Sequence, residues 1–104
     1  MLMYILNITT NVSETVQNEW LRTIQEVFIP EMLNTKKFSR ALLTEVLVEE
    51  EMGGVTYSIQ FFAASKTAIE AYYNEDQELT LKHLQKFTGK YVDFKTELKL
   101  IKEF

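Results

Sequence analysis

The chain has no cysteine, one histidine, one proline and three glycines in 104 residues. Without cysteine there is no disulfide, no thiolate nucleophile and no sulfur-bound metal, and the lone His83 cannot build a histidine cluster. Basic side chains are also scarce: Lys and Arg number 11 against 15 Asp and Glu, a net charge of −4. A protein that grips phosphate backbones needs a concentrated basic patch to release counterions, and Lys36-Lys37 is too short to be one. No apolar run approaches the ~20 residues of a bilayer span. The opening Met1-Leu2-Met3-Tyr4-Ile5-Leu6 has no basic flank and breaks at Asn7, so it does not read as a signal peptide. These absences lead us to expect a cytoplasmic protein that binds neither nucleic acid nor membrane and holds no metal or other cofactor. A chain of this length forms one domain, residues 1–104, burying roughly 60 to 70 per cent of its unfolded surface.

What is present is organised around Gly53 to Ser65. Val55, Tyr57, Ile59 and Phe61 are apolar at every second position while Thr56, Ser58 and Gln60 point the other way, the period of a half-buried strand. Its second face is polar but uncharged and ends in Phe62, an unusual composition for a surface bathed in water. From Leu2 to Val12 the even positions are mostly apolar and the odd ones mixed, which predicts a central strand covered on both sides. Ser13 is placed to cap a helix carrying Val16, Trp20, Leu21, Ile24, Val27 and Phe28 as its apolar stripe. Pro30 should end or kink that helix near Phe28, with one further turn to Asn34.

Phe38 to Glu49 reads as a second strand whose faces are both partly apolar, either covered twice or shifted in phase by a bulge. Glu49 to Gly54 is a solvated hairpin turn with glycines for positive φ. Ser65 caps a second helix running to about Thr88, with Gly89 at its end and Ile69, Tyr72, Tyr73, Leu79, Leu84 and Phe87 as its stripe. Asn74-Glu75-Asp76 interrupts the stripe and invites a break. The last strand, Tyr91 to Lys102, is expected to turn Val92, Phe94, Leu98 and Leu100 inward and its charges outward, as an edge strand would.

The order strand, helix, strand, strand, helix, strand is the ferredoxin-like βαββαβ arrangement, an α+β fold with a four-stranded antiparallel sheet and two helices on one face. Its first and third strands are central, and their open faces carry Met3, Ile5, Asn7, Thr56, Ser58, Gln60 and Phe62. A two-fold axis would let one such patch cover its own copy, so a homodimer packed sheet to sheet is expected.

Several segments resemble a known family. They are Asn7 to Val12, Glu19-Trp20-Leu21, Ile29-Pro30 followed by Met32-Leu33 and Thr35, Gly54 to Ala63, His83 with Phe87, and Phe94-Lys95-Thr96. Over nearly the whole chain they are similar to short bacterial proteins catalogued as a domain of unknown function and related in fold to the dimeric αβ barrels. The resemblance implies that fold and a dimer, and no established activity. The family pattern has histidines where this chain has Phe28 and, roughly, Glu75, so any chemistry carried by them is lost here. Lys95 stands where an arginine is common, which keeps the charge and loses the bidentate fork.

For chemistry, His83 could act as a base or hold a ligand in a hollow under the helices, walled by Trp20, Tyr4, Tyr57 and Tyr72. Ordinary packing explains the same residues: a histidine bonded once to backbone or tyrosine, and aromatic core. Asp76 lies about 10 Å from His83 by helical rise, too far for a dyad. Asn7 and Gln60 suit a hydrogen-bond network in a dimer interior better than a substrate contact. The acidic run Glu49 to Glu51 lacks the spacing of a calcium loop. The leading expectation is therefore a non-catalytic homodimeric domain that binds a small molecule or a partner protein. The alternative is an enzyme resembling the cofactor-independent monooxygenases or haem-degrading proteins of this fold, which combine an asparagine, a tryptophan and a histidine. This chain owns Asn7, Trp20 and His83, but strand parity turns Asn7 away from the helices.

Overall fold

The computed structural model describes residues 3–49 and 53–104. Four strands form one antiparallel sheet in the order β2-β3-β1-β4: β1 (Tyr4–Val12), β2 (Arg40–Glu45), β3 (Val55–Ala63) and β4 (Tyr91–Lys99). β1 and β3 are central, as their two-sided composition requires. Their register runs from Tyr4 opposite Ala63 to Val12 opposite Val55, so the even residues of β1 share a face with the odd residues of β3. On that face Leu6, Ile8, Val12, Tyr57, Ile59 and Phe61 are buried beneath the helices. The fold is the ferredoxin-like α+β arrangement.

The first helical stretch is continuous through Pro30. It comprises α1 (Gln17–Thr23), a π turn (Ile24–Phe28) and α2 (Ile29–Asn34). Proline lacks an N–H and its ring crowds the carbonyl four residues back. The wider π turn just before it, closed by the Ile29 N–H on the Ile24 carbonyl, absorbs that misfit where a break was expected. It also corrects a phase error. Residues four apart drift by ~40° per step on an ideal helix, yet Trp20, Ile24, Phe28 and Met32 are all at most 1% exposed. Ser13 does not cap this helix. Its hydroxyl accepts from the Thr15 N–H and bonds the Thr15 hydroxyl, a local turn that competes with capping, and the helix begins at Gln17.

The second helical stretch is α3 (Lys66–Glu75), α4 (Gln77–Leu81) and a 3-10 segment (Lys82–Phe87). Ser65 caps it, its Oγ accepting from the Ala68 N–H at 3.1 Å. The break falls at Asp76, whose φ of −122° leaves the helical range. That break shifts the phase of α4 relative to α3, so Leu79, expected in the stripe, is 57% exposed and Thr80 is buried in its place. Gly89 closes the segment at φ +84°, and Gly53 and Gly54 hold φ of +80° and +83° in the β2–β3 connection. Glu50, Glu51 and Met52 of that turn lie outside the described residues.

Two strands differ from the sequence expectation. β2 spans only Arg40–Glu45, and Phe38, buried, lies before it begins. The phase shift is thus a strand starting late, with Ala41 and Leu43 packed on the core and Leu42 exposed. β4 is turned over. Its pairing with β1 puts Val92, Phe94, Thr96 and Leu98 opposite Asn11, Thr9, Asn7 and Ile5, on the side away from the helices. Val92, Phe94 and Leu98 are 71%, 63% and 40% exposed, while Tyr91 packs on the core.

Candidate functional site

The residues proposed as pocket walls are spread along the helix side of the sheet. Trp20 stacks on Tyr57 with ring centroids 5.2 Å apart, and the Gln17 amide donates to the Tyr57 hydroxyl at 2.8 Å. Tyr72 packs edge-on against Phe38, and its hydroxyl meets that of Thr80 at 2.9 Å. Thr80 donates to the Gln77 carbonyl, so Tyr72 is the donor to Thr80. Burial pushes the Tyr72 hydroxyl above the ordinary tyrosine pKa. Tyr4 lies six positions along β1 from the residue paired with Tyr57, in a surface groove with Lys66, Glu97, Leu98 and Lys99. Six residues at ~3.3 Å separate these two tyrosines by ~20 Å along the sheet, too far for one small hollow. Four of the five are therefore core packing or surface, as aromatic residues under helices commonly are.

His83 is the fifth, and its partner was not foreseen. It stands on the 3-10 segment with its Nε2 2.5 Å from Glu31 Oε2 of α2, both side chains about a third exposed at 37% and 35%. Asp76 is engaged elsewhere: the Lys37 ammonium bonds it at 2.5 Å and lies 3.3 Å from Glu75, and the Asp76 contact holds Lys37 above the usual lysine pKa. The Trp20 indole N–H is buried with no hydrogen-bond partner among the described residues. Asn7, Trp20 and His83 consequently occupy three places: the open sheet face, the core and the outer surface of the helices. Among the described residues no group of three or more acidic, histidine or cysteine side chains could hold a metal ion.

The other side of the sheet has a different character. Ile5, Asn7, Thr9 and Asn11 of β1 stand beside Phe62, Gln60, Ser58 and Thr56 of β3, with Arg40, Leu42 and Thr44 of β2 and the four turned residues of β4 at the edges. Arg40 is the one charged side chain among these strand positions, and its guanidinium sits 4.1 Å over the Phe62 ring. All the sheet's carboxylates, Glu45, Asp93 and Glu97, have the opposite parity. In the middle runs a polar row. Ser58 donates to Asn7 Oδ1 at 2.6 Å, Asn7 Nδ2 to Thr9 at 3.1 Å, and Asn11 Nδ2 to Thr56 at 3.2 Å. The seven residues expected at an interface thus fall on the parity of this face, although Phe62 and Thr56 are already buried at 7% and 9%. The sequence reading missed Leu42, Val92, Phe94 and Leu98. The signal was the alternation of β4 itself, read with the wrong face inward.

A ferredoxin-like sheet with one face covered by helices and the other open, a polar row framed by apolar side chains, defines the class of protein. Residues 3–101 match the family described as a domain of unknown function, DUF4286. The chain belongs to that family. No curated protein matches the sequence. Among solved structures it is similar to a dimeric ferredoxin-like protein from an uncultured marine organism, at 10% identity over 100% of both chains with a TM-score of 0.66. A second dimeric ferredoxin-like protein of such origin is 16% identical over 98% of this chain and 97% of that one, with a TM-score of 0.69. SnoaB, a cofactor-independent oxygenase from Streptomyces nogalater, is 12% identical over 98% and 95%, with a TM-score of 0.61. At these identities the likeness establishes the fold. Among the described residues no helix is long and apolar enough to cross a membrane.

Proposed function

We propose that the protein is a non-catalytic, homodimeric binding domain of the cytoplasm, a single unit over residues 1–104, in which a second copy covers the open face of the sheet. The observation that carries this reading is the exposure of Val92 and Phe94, at 71% and 63%, on a face whose strand positions hold no carboxylate. Two chains of net charge −4 can therefore meet there without bringing acid against acid. The size is sufficient. Three strands of nine residues and one of six, ~4.8 Å apart at ~3.3 Å per residue, make a flat footprint of roughly 520 Å², so two copies would cover about 1,000 Å² in all, the lower bound of a specific interface. The dimeric character of two structural relatives is in keeping with it.

The interface set is Met3, Ile5, Asn7, Thr56, Ser58, Gln60 and Phe62, extended by Leu42, Val92, Phe94 and Leu98. The row from Asn7 to Thr56 would be enclosed between the two sheets. A small molecule taken up there would be uncharged and rich in hydrogen-bonding groups, because the row offers amides and hydroxyls and Arg40 is already stacked on Phe62. Light scattering coupled to size exclusion tests the dimer, and a monomer at all concentrations refutes it. Thermal-shift screening against neutral polar metabolites tests the ligand, and a flat response refutes that half. The oxygenase reading, favoured by the likeness to SnoaB, requires Asn7, Trp20 and His83 to act together, and their three separate locations argue against it.

A further inference from the structure

All three glycines of the chain, Gly53, Gly54 and Gly89, hold positive φ and line a single cavity at the Val12 end of the sheet. The cavity measures about 640 Å³ and opens to solvent, within the ~300–1,000 Å³ of small-molecule sites. Three connections meet around it: residues 13–15 after β1, Gly53-Gly54 before β3 and Gly89-Lys90 before β4. The first and third are joined by the Ser13 N–H, which donates to the Lys90 carbonyl at 2.8 Å. At Gly89 no atom of the described residues lies within 4 Å of where a Cβ would stand, so that wall is bare backbone. At Gly54 a Cβ would lie 2.7 Å from Asn11 Oδ1, and its lack leaves that oxygen uncovered. Asn11 directs its Nδ2 hydrogens to Thr56 Oγ1 and the Gly53 carbonyl, and its Oδ1 accepts no hydrogen bond among the described residues.

Two opposite charges stand on the rim of this cavity. Glu14 and Lys90 line it from bonded stretches of backbone, both exposed, yet they do not pair with each other, and among the described residues neither forms an ion pair elsewhere. A carboxylate only accepts hydrogen bonds and an ammonium only donates them. A simple anion would suit Lys90 and be repelled by Glu14, and a simple cation would meet the reverse. A ligand bearing both charges suits both. We infer that the cavity binds a small zwitterion carrying one primary ammonium and one carboxylate, with Glu14 and Asn11 Oδ1 taking the ammonium and Lys90 the carboxylate. The site lies beyond the end of the sheet, touches the open face only at Asn11 and Val92, and does not require the dimer.

The glycines that shape the site also report on it, since the chain has no other glycine N–H. In the amide NMR spectrum of the isotopically labelled protein at pH ~6, where an α-amine and a carboxylate are both ionised, L-serine at up to ~20 mM should move all three glycine signals. N-acetyl-L-serine, which lacks the ammonium, and L-serinamide, which lacks the carboxylate, should each bind about fivefold more weakly, as loss of one exposed ion pair allows. Glu14→Gln should erase the preference over N-acetyl-L-serine and keep the preference over L-serinamide; Lys90→Gln should do the converse. Both side chains are exposed, so neither exchange threatens the fold. Glycine signals unmoved by L-serine, three ligands binding alike, or variants that keep both preferences overturn the assignment. Shifts confined to the side-chain amides of Asn7 and Gln60 place the ligand in the polar row and overturn it too. A monomer that binds L-serine at the glycines sustains the site while removing the dimer.

Discussion

Replacing Phe94 by alanine separates the two possible faces of β4. Phe94 is 63% exposed in the protomer. With a phenylalanine surface of ~200 Å², that leaves ~125 Å² in water, worth ~3 kcal/mol if a second copy covers it at ~25 cal/mol/Å². Alanine keeps part of that area, so the loss is ~2 kcal/mol per copy and ~4 kcal/mol per dimer, a weakening of Kd by ~10³. The protomer's own stability should change by less than ~0.5 kcal/mol, since the side chain touches little of its own chain. Sedimentation equilibrium gives the first quantity, and denaturant melts at concentrations below Kd give the second. Lys95→Ala, on the opposite parity of the same strand, is the control and should leave Kd unchanged. If Phe94 instead belonged under the helices, its loss would cost ~3–5 kcal/mol of fold stability and leave association alone. That second pattern, or a Kd within tenfold of the parent, would defeat the reasoning.

Other substitutions probe the supports of the fold. Gly54 holds φ +83°, and a Cβ there would lie 2.7 Å from Asn11 Oδ1 and 2.9 Å from the Val12 carbonyl oxygen, whereas at Gly89 no atom of the described residues stands within 4 Å. Gly54→Ala should therefore cost ~2–3 kcal/mol in urea melts and Gly89→Ala only the ~1–2 kcal/mol of a left-handed alanine; equal losses would contradict this. Burial raises the Tyr72 pKa in the folded state, so its contribution is whole below the ordinary tyrosine value of ~10 and is lost as pH rises through the raised one. Thermal melts of the parent should fall above pH ~10 more steeply than those of Tyr72→Phe, which itself forfeits ~1 kcal/mol with the Thr80 hydrogen bond; parallel curves would rule the effect out. His83→Ala breaks a pair whose members are about a third exposed, so it should cost under ~1 kcal/mol and leave the oligomer unchanged. A loss above ~2 kcal/mol would assign the pair a larger structural role.

The architecture was legible because each local signal agreed with the fold: Ser65 as a cap, glycine at the positive-φ turns, and the period of two in β1 and β3. The misreading of β4 has a simple physical origin. Alternation tells which residues share a face of a strand but not which face is inside, and the inference that apolar means inward holds only when one side of the sheet is wet. In β4 the apolar set Val92, Phe94 and Leu98 marks the side away from the helices, and Tyr91, Asp93 and Lys95 share the other. Long-range pairing was equally invisible, since nothing in the local sequence places Glu31 beside His83 or Lys37 beside Asp76. Leu79 was misplaced because a break of unknown angle at Asp76 erases the helical phase beyond it.

The two faces of the sheet explain why a hollow beneath the helices and an aromatic core read alike in the sequence. Aromatic residues at helical spacing describe the walls of a pocket and the filling of a core equally well, and packing decides between them. Here Phe61 takes Phe28 and Phe38 at 6.1 and 5.5 Å, and Trp20 takes Tyr57, so the space is occupied by rings. A core filled in this way leaves the polar inventory of the chain to the opposite face. There, Ser58, Asn7 and Thr9 bond one another and Asn11 bonds Thr56, in a row flanked by exposed apolar side chains. Solvent alone would favour charge at such positions, and a buried interface would favour internally bonded neutral groups within an apolar frame. The second composition is the one this sheet presents.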